Sequence, residues 1–387
     1  MLPITIAVAM LSQLLVYRLK RVINTKAICL HMYPIITLGY HIYHGIYMEP
    51  KLHEERRVQE IRGSYILYLP KDWCRDLGIS RGSRLLIRRS GSKLIVEPSE
   101  TERFRVYADI DIENIDERSL FHILVALYIA GAEQIKLTSR KPLSSDVRRM
   151  IVSYLRYIPG FGVFDEARNY VVLREIRRSS DLGIIARRIA NNSRILFEKV
   201  ISLYSGSESQ DEDLEELDNE IDVIRREAER LFNTMLINLS VGEEAGGLQR
   251  AYILVQIVRL LERISDHLVA LVSIASSTTP NDREKIYGVL SNMYGYYRDI
   301  DRLIEINPVN RGGEKPKSLG EDAREIIARL VYLIDRKESI HSMISSARIG
   351  SDIASYHIMR IYDYITDIAE YVLDKIAIST MITTPRA

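Results

Sequence analysis

The chain has 387 residues, 47% of them hydrophobic, which is enough for two or three folded domains. Its net charge of +1 conceals a segregation: residues 56–93 carry ten basic residues against three acids, and residues 211–229 carry ten acids against two arginines. This asymmetry predicts a basic module for an anionic partner and an acidic module with another role. The two cysteines, Cys29 and Cys74, have no CxxC or metal-ligand spacing, which argues against a soft-metal site and favours a reducing, cytoplasmic setting.

The first 47 residues differ in composition from the rest, because all 52 acids lie after them. The apolar run Leu2–Tyr17 is roughly a turn short of the ~20 residues that a membrane span needs, and its basic cluster "RLKR" follows the run, unlike that of a signal peptide. A second apolar run, 27–47, is broken by one proline and three histidines. We therefore expect residues 1–47 to be a non-domain extension and Met48 to be the natural first residue. The alternative is a membrane anchor or amphipathic helix near a transporter.

Residues 58–98 predict a small β unit: "SYILYLP", "SRLLIRR" and "KLIVEP" are typical of strands, and "KDWCRDLGI" of a short helix closed by Gly78. This segment resembles the SpoVT/AbrB swapped-hairpin family in "LPKDW", "LGI" and "RGSRLLI". The resemblance implies that two chains exchange hairpins and form a homodimer. A β unit of this size buries too little core by itself, which favours the same conclusion.

The basic residues of this unit fit double-stranded DNA, because each can neutralise a backbone phosphate and a dimer doubles their number. The alternative is a plain dimerisation module whose basic strands are simply solvated. The candidate DNA-binding residues are Arg56, Arg57, Arg62, Lys71, Arg75, Arg81, Arg84, Arg88, Arg89 and Lys93.

Residues 103–176 alternate strand and helix patterns and predict a compact α/β unit. No catalytic spacing occurs in it: "GFG" lacks the GxGxxG context, and Ser, His and Asp form no recognisable triad. The unit resembles the middle segment of archaeal AbrB–PhoU fusion proteins. We place the domains at 48–99 (DNA-binding and dimerisation head), 100–177 (α/β middle unit) and 178–382 (helical domain).

Strand patterns are absent after about residue 179, and six long helices are predicted at 179–204, 211–240, 246–277, 281–306, 318–347 and 350–380. "RISDHL" at 263–268 returns as "RIYDYI" at 360–365, each on the third helix of a set of three. The six helices therefore divide into two related three-helix bundles. The predicted fold class is multi-domain α+β: a swapped-hairpin β head, an α/β middle unit and tandem all-α bundles.

Two carboxylate pairs lie in the first predicted bundle, each with a four-residue spacing that places both acids on one helix face. They are Glu262 with Asp266, and Asp218 with Asp222. Clustered carboxylates repel each other and are best tolerated around a cation, and oxygen ligands suit hard or intermediate ions. The alternative is a solvated stripe that pairs with arginines of its own helix.

At these residues the chain resembles the PhoU phosphate-uptake regulators, which are two three-helix bundles with E/D-x-x-x-D metal motifs. "LDNEID" and "LERISDH" match the first-half motifs. "MRIYDYITDIAE" matches a second-half motif but has Met359 where the family has an acid, and Glu321 and Glu325 are candidates for the remaining motif by position only. The resemblance implies one full cluster of divalent or ferric ions (Fe, Zn, Mg or Mn) with ligands Asp218, Asp222, Glu262 and Asp266, and Asp363 as a further ligand in the second half.

The resulting expectation is a non-enzymatic, cytoplasmic regulator of phosphate homeostasis without a small-molecule substrate. Its dimeric head would bind promoter DNA, and its helical domain would sense state through metal and a partner. In the PhoU family that partner is the phosphate ABC transporter or its signalling kinase. The alternative is an adaptor that uses the head only to dimerise. A di-metal hydrolase is disfavoured, since the sequence offers no HxxE-like spacing and no general base.

Overall fold

In the computed structural model of this chain, the residues that can be described are 54–90, 93–98, 106–177, 181–207, 213–237, 247–305, 321–346 and 351–380. The expectations for residues 1–47 and for a start at Met48 lie outside these ranges. The chain divides into two units, Met1–Ser80 and Arg81–Ala387. This boundary falls inside the region predicted as one head domain, between its two hairpins, because each hairpin is a separate two-stranded sheet.

The first unit contains a hairpin and a short helix. Strand β1 (Gln59–Ile61) pairs with antiparallel β2 (Ser64–Ile66), with Ile61 opposite Ser64. The two turn residues, Arg62 and Gly63, both have positive φ (52° and 80°), as a two-residue turn between twisted antiparallel strands requires. Helix α1 (Lys71–Asp76) follows, and Gly78, two residues after its end, again has a positive φ. The predicted helix is confirmed, whereas the predicted strand "SYILYLP" is shorter than expected and covers only Ser64–Ile66.

The second unit begins with the hairpin of β3 (Leu85–Ser90) and β4 (Lys93–Pro98) and continues into the α/β unit. Its four-stranded sheet has the order β5-β6-β8-β7. Strand β5 runs parallel to β6, and β8 lies antiparallel to both β6 and β7. The elements, in chain order, are β5 (Tyr107–Asp111), α2 (Glu117–Ile129), β6 (Gln134–Thr138), α3 (Ser145–Tyr154), β7 (Phe161–Ala167) and β8 (Tyr170–Glu175).

Helices α2 and α3 begin where side-chain oxygens can accept the free amides of a first turn. The carboxylate of Asp116 accepts from the Ser119 amide at 3.0 Å, and the hydroxyl of Ser144 accepts from the Val147 amide at 3.3 Å. The apolar faces of these helices and of the sheet then bury a core of their own, which includes Leu120, Leu124, Tyr128, Ile135, Leu137, Ile151, Ile158 and Leu173. The middle segment is therefore an α/β unit, as its alternating pattern predicts.

Helices make up the rest of the described chain. They are α4 (Leu182–Ser205), α5 (Asp213–Ile237), α6 (Gly247–Ala275), α7 (Pro280–Glu305), α8 (Glu321–Asp335), α9 (Lys337–Ser346) and α10 (Asp352–Thr380). The prediction of one helix over 318–347 is wrong, because α8 and α9 are separated at Arg336. No proline or glycine marks this break, so the periodic pattern continues across it.

Helices α4, α5 and α6 pack on one another as a first half, and α7, α8, α9 and α10 form a second half. The halves are joined by the contact of α6 with α10, the most extensive helix contact among the described residues, and by that of α4 with α7, so both halves share one buried core. Buried tyrosines link neighbouring helices. Each hydroxyl donates to a backbone carbonyl of another helix, so the tyrosine keeps a hydrogen bond when it is buried. Tyr204 donates to the Leu271 carbonyl at 2.8 Å, and Tyr297 to that of Ala190 at 2.8 Å.

Helix α5 also packs against α2 of the α/β unit. Arg230 is 5% exposed, and its guanidinium donates to the carbonyls of Tyr128 and Ala132, both at 2.8 Å. It pairs with the carboxylate of Glu175 at 3.0 Å, and the Asn233 amide donates to the Ile129 carbonyl at 2.7 Å. The C-terminal end of α2 is thus anchored by polar side chains of the bundle.

Candidate functional sites

The acidic residues predicted as metal ligands lie along the seam between α5 and α6. On α5 the buried Ile221, Ile224 and Ala228 face the core, which leaves Asp218 and Asp222 on an adjoining face. On α6 the buried Leu261, Ile264, Ser265 and Leu268 face the core. Glu262 and Asp266 lie beside that buried face. The amphipathic pattern of both helices therefore brings the two acid pairs to one seam.

Electrostatics show that the four carboxylates lie within range of one another. Burial, and then the charges of Asp266 and Asp222, raises the pKa of Asp218 to about 6. Burial raises the pKa of Glu262 to about 7 against the opposing charge of Arg225, and burial with the charge of Asp222 raises that of Asp266. Part of this cluster therefore holds protons near neutral pH, and a positive charge brought among the carboxylates would displace them.

An arginine of α5 already supplies positive charge to two of these carboxylates. The Nε of Arg225 lies 2.8 Å from Glu262 Oε1, as an ion pair rather than a well-aligned hydrogen bond, and its two terminal nitrogens lie 3.0 Å from Asp222 and 3.0 Å from Glu229. Arg226 pairs with the other oxygen of Asp222. The alternative of a solvated stripe paired within its own helix does not describe Glu262, whose side chain is 15% exposed and whose partner is on α5.

Two carboxylates of the cluster stay without such a partner: Asp218 and Asp266 form no ion pair with any residue in the described ranges. No group of three or more His, Cys, Asp or Glu side chains within those ranges has an arrangement that would hold a metal ion. The donor chemistry therefore suits a hard cation, whereas Arg225 and Arg226 occupy oxygens of Asp222 and Glu262 that such a cation would need.

In the second half, Asp363 is surrounded by basic side chains. Its side chain is 12% exposed and lies 2.8 Å from Arg360 Nη1, 2.8 Å from His341 Nε2 and 3.6 Å from Lys337 Nζ. Lys337 also lies 3.1 Å from Asp367. Where α5 presents two acids four residues apart to α6, α9 presents a lysine and a histidine four residues apart to α10. Neither of these partners was among the residues predicted from the sequence.

The remaining second-half candidates do not join Asp363 in the part of the chain that can be described. Glu325 lies with Arg329 in a groove between α7 and α8. Its charge acts on Asp299, whose carboxylate pairs with Arg329 at 2.8 Å. The side chain of Glu321 lies outside the described residues. Asp363 is therefore balanced by cations of its own chain.

The basic residues of the head are displayed on its surface. Arg62 is at the tip of the β1–β2 turn, and Arg89 lies on β3 opposite Leu94 of β4. The side chains of Arg88 and Lys93 lie outside the described residues. The other predicted DNA contacts are all exposed: Arg56, Arg57, Arg62, Lys71, Arg75, Arg81, Arg84 and Arg89.

Large apolar side chains are also exposed on both hairpins. Tyr65 is 76% exposed, and Leu94 on β4 is 72% exposed. Pro70 is the one residue of the described range 54–80 that is buried. Hairpins of this kind lack a core of their own and normally bury such residues against another chain. The exposed apolar residues are Val58, Ile61, Tyr65, Leu67, Tyr68, Leu69, Leu77, Leu86, Ile87, Leu94 and Val96.

An exposed basic head and a helical domain with a carboxylate seam define a chain with two separate candidate binding domains. Family models give the particular domains. The PhoU domain model matches residues 186–275, and the model "Antidote-toxin recognition MazE, bacterial antitoxin" matches residues 58–104. The chain thus matches a MazE/AbrB-like domain model near its N-terminal side and a PhoU domain model in its helical part, in the order that the expected fusion requires, and both matched families are regulatory.

The PhoU match ends at Ala275, the last residue of α6, so it covers the half that contains the acidic seam. A comparison with curated proteins gave no match. A comparison with solved structures gave none either. Within the described ranges, no helix combines the length and the apolar character that crossing a bilayer requires.

Proposed function

We propose that this protein is a non-enzymatic, cytoplasmic regulator of phosphate uptake that couples a dimeric DNA-binding head to a metal-binding PhoU domain. The observation that carries the proposal is the presence of both matched domains in one chain. The PhoU domain supports the link to phosphate homeostasis, and the MazE/AbrB-like domain supports a nucleic-acid partner. The phosphate ABC transporter or its signalling partner is the protein partner that the PhoU resemblance implies.

Dimerisation through the head is supported by the apolar side chains that the hairpins expose in a single chain. Covering them with a second copy removes that area from water, at about 25 cal/mol per Å². Sedimentation equilibrium should give twice the chain mass of 44.6 kDa. Substitution of Ile87 and Leu94 by serine should give monomers, whereas the same change at the exposed Tyr332 and Met343 of the bundle should not. A parent protein that is monomeric at micromolar concentration contradicts the proposal.

DNA binding is tested by fluorescence anisotropy on promoter fragments with increasing salt. Each phosphate contact releases counterions, so six to ten contacts weaken binding about 10³–10⁵-fold between 50 and 200 mM salt. The double variant Arg88→Ala/Arg89→Ala should bind more weakly at low salt. Its matched control, Arg187→Ala/Arg324→Ala, removes two exposed arginines of the bundle and should bind like the parent.

Equal binding by the parent and the head variant would show that these two arginines are not the contacts. If no fragment binds even at low salt, the head acts only in dimerisation, as an adaptor requires, or in recognition of a protein. The MazE description names toxin recognition, so a toxin-type protein is the partner to test in that event.

Metal binding belongs to the seam of α5 and α6, where Asp218, Asp222, Glu262 and Asp266 would hold a divalent or ferric ion. A bound ion would supply positive charge to the carboxylates of Asp218 and Asp266, neither of which forms an ion pair with another described residue. Elemental analysis of the purified protein should find metal, and Glu262→Gln/Asp266→Asn should remove it. The control Glu215→Gln/Glu216→Gln changes two exposed acids of α5 and should retain it.

The ion pairs of Arg225 compete with a metal for Asp222 and Glu262. Arg225→Gln should therefore raise metal occupancy at a limiting concentration of free metal. Unchanged occupancy in this variant, with metal still lost in Glu262→Gln/Asp266→Asn, would show that Arg225 does not hold back the ligands.

A further inference from the structure

Away from the acidic ion pairs, α6 and α10 form an open pocket of about 650 Å³ where the two halves of the bundle meet. Two arginines, two histidines and two tyrosines line it, with one carboxylate. The lining residues are Arg263, Asp266, His267, Tyr356, His357, Arg360 and Tyr364. None of the functions proposed above uses the arginines, histidines or tyrosines of this pocket.

Its two arginines occupy equivalent positions in the repeated motifs "RISDHL" and "RIYDYI". Arg360 is held in place: its guanidinium donates to Asp363 at 2.8 Å and to the Tyr364 hydroxyl at 2.6 Å, and lies 4.5 Å from the centre of the Tyr364 ring. Arg263 is exposed and makes no hydrogen bond or ion pair to any residue in the described ranges. One guanidinium is therefore fixed by its partners, and the other retains all its donors.

The two histidines form a pair across the helix seam. Nδ1 of His267 lies 2.7 Å from Nδ1 of His357, and the His267 ring stacks on Tyr364 at a centroid distance of 5.7 Å. A hydrogen bond between the two Nδ1 atoms needs a proton on one ring and a lone pair on the other. The accepting ring then carries its proton on Nε2, which is a donor for another acceptor. No Nε2 partner of either ring occurs among the described residues.

The charges and donors of the pocket select the class of ligand. Arg360 is already paired with Asp363. The donors of Arg263 are engaged by no described residue and lie beside the one carboxylate of the lining, Asp266. An anion with several acceptor oxygens matches the free Arg263 donors and the imidazole N–H. Tyr356 and Tyr364 add aromatic surface, which suits a phosphate group borne on a ring-containing ester as well as the free ion.

We propose that this pocket binds a dianionic phosphate group, with Arg263 as the principal ligand and the His267–His357 pair as a hydrogen-bond donor. The proposal rests on the proposed role in phosphate regulation only in the choice of inorganic phosphate as the first probe. Asp266 opposes the ligand and competes for Arg263. Its replacement by asparagine should therefore strengthen phosphate binding, whereas loss of Arg263 should weaken it.

The test is isothermal titration calorimetry of the full chain in EDTA at constant pH and ionic strength, with inorganic phosphate, adenosine monophosphate and adenosine as separate probes. We expect Arg263→Gln to weaken phosphate binding at least tenfold and Asp266→Asn to strengthen it severalfold. The control Arg187→Gln, at an exposed arginine of α4 outside the pocket, should bind like the parent. Circular dichroism of each variant checks that the helices are intact.

The three probes distinguish a free phosphate ion from a phosphate ester, and they also show whether the pocket binds phosphate at all. Binding of inorganic phosphate identifies the free ion as the ligand, and binding of adenosine monophosphate without inorganic phosphate or adenosine identifies an ester; both support a phosphate site. Millimolar probes that give no heat, or an Arg263→Gln variant that binds as tightly as the parent, overturn it. A protein that binds promoter DNA and metal but no phosphate would refute this pocket while leaving the proposed function intact.

Discussion

Replacing Asp218 by asparagine should stabilise the metal-free protein at pH 8. The carboxyl of Asp218 is held among other acids, and its pKa is raised from 3.8 to about 6. At a pH well below 3.8 the group is protonated in both the folded and the unfolded chain and does not change the free energy of unfolding. As the pH rises towards 6 the unfolded chain ionises first, so the folded state loses stability, and above pH ~6 the full cost is present. Asparagine has nearly the same shape and no charge to repel.

The size of this effect follows from the shift in pKa. About two pKa units correspond to roughly 3 kcal/mol as an upper bound, since one unit is about 1.4 kcal/mol. Asp218 is only partly buried, so solvent screening reduces the expected gain to about 1–2 kcal/mol. For a helical domain of this length that gain is a rise of roughly 3–6 °C in the melting temperature.

The assay is thermal unfolding followed by circular dichroism in EDTA at pH 4 and pH 8. Asp218→Asn should melt higher than the parent at pH 8 and close to the parent at pH 4. Glu216→Gln, which changes an exposed acid on the same helix, should shift neither melting temperature. A variant that is as stable as the parent or less stable at pH 8 would refute the view that repulsion at Asp218 is uncompensated in the metal-free chain.

Three further changes probe the packing of the described domains. Arg230→Met leaves two carbonyls and a buried carboxylate without their donor, so it should cost about 3–5 kcal/mol and be seen as a lower denaturant midpoint and faster proteolysis within the α/β unit. Gly160→Ala should cost about 2–4 kcal/mol in the same measurement, because φ is 85° there and a Cβ would lie 2.3 Å from the Arg177 carbonyl oxygen. Burial lowers the pKa of Lys375 to about 8 while its ammonium donates to the Ile304 carbonyl at 2.6 Å. Lys375→Met should therefore stabilise the protein by about 1 kcal/mol at pH 7 and lose this advantage as the pH rises from 8 to 10.5; a loss of stability at pH 7 would contradict it.

Local patterns predicted the elements of the fold well. The strands around "SGS" and the helices of the bundle followed from periodicity and turn residues, and the carboxylate pairs followed from their four-residue spacing. The break at Arg336 was not predictable in this way, because no turn residue marks it and apolar positions recur on both sides.

At the candidate site, the basic residues that pair with the predicted acids were missed, because these residues are distant in sequence. Arg225 lies 37 positions before Glu262, so only the packing of α5 on α6 brings them together. A signal was nevertheless present: Arg225 follows Asp218 and Asp222 by seven and three residues and therefore lies on the same helix face. For Asp363 the comparable signal was Lys337 and His341, spaced four apart like the acids of the first half.

Helix α5 carries the acidic seam and the anchor to the α/β unit on consecutive turns, which has a consequence for experiments on fragments. Arg226 pairs with Asp222 while its guanidinium lies 5.9 Å from the centre of the Phe121 ring and 5.7 Å from that of Tyr157. Excising the bundle from the chain would hydrate this arginine, which is 8% exposed in the intact protein, and would weaken its hold on Asp222. Proton and metal affinities measured on an isolated helical fragment would then belong to a different electrostatic environment from that of the whole chain.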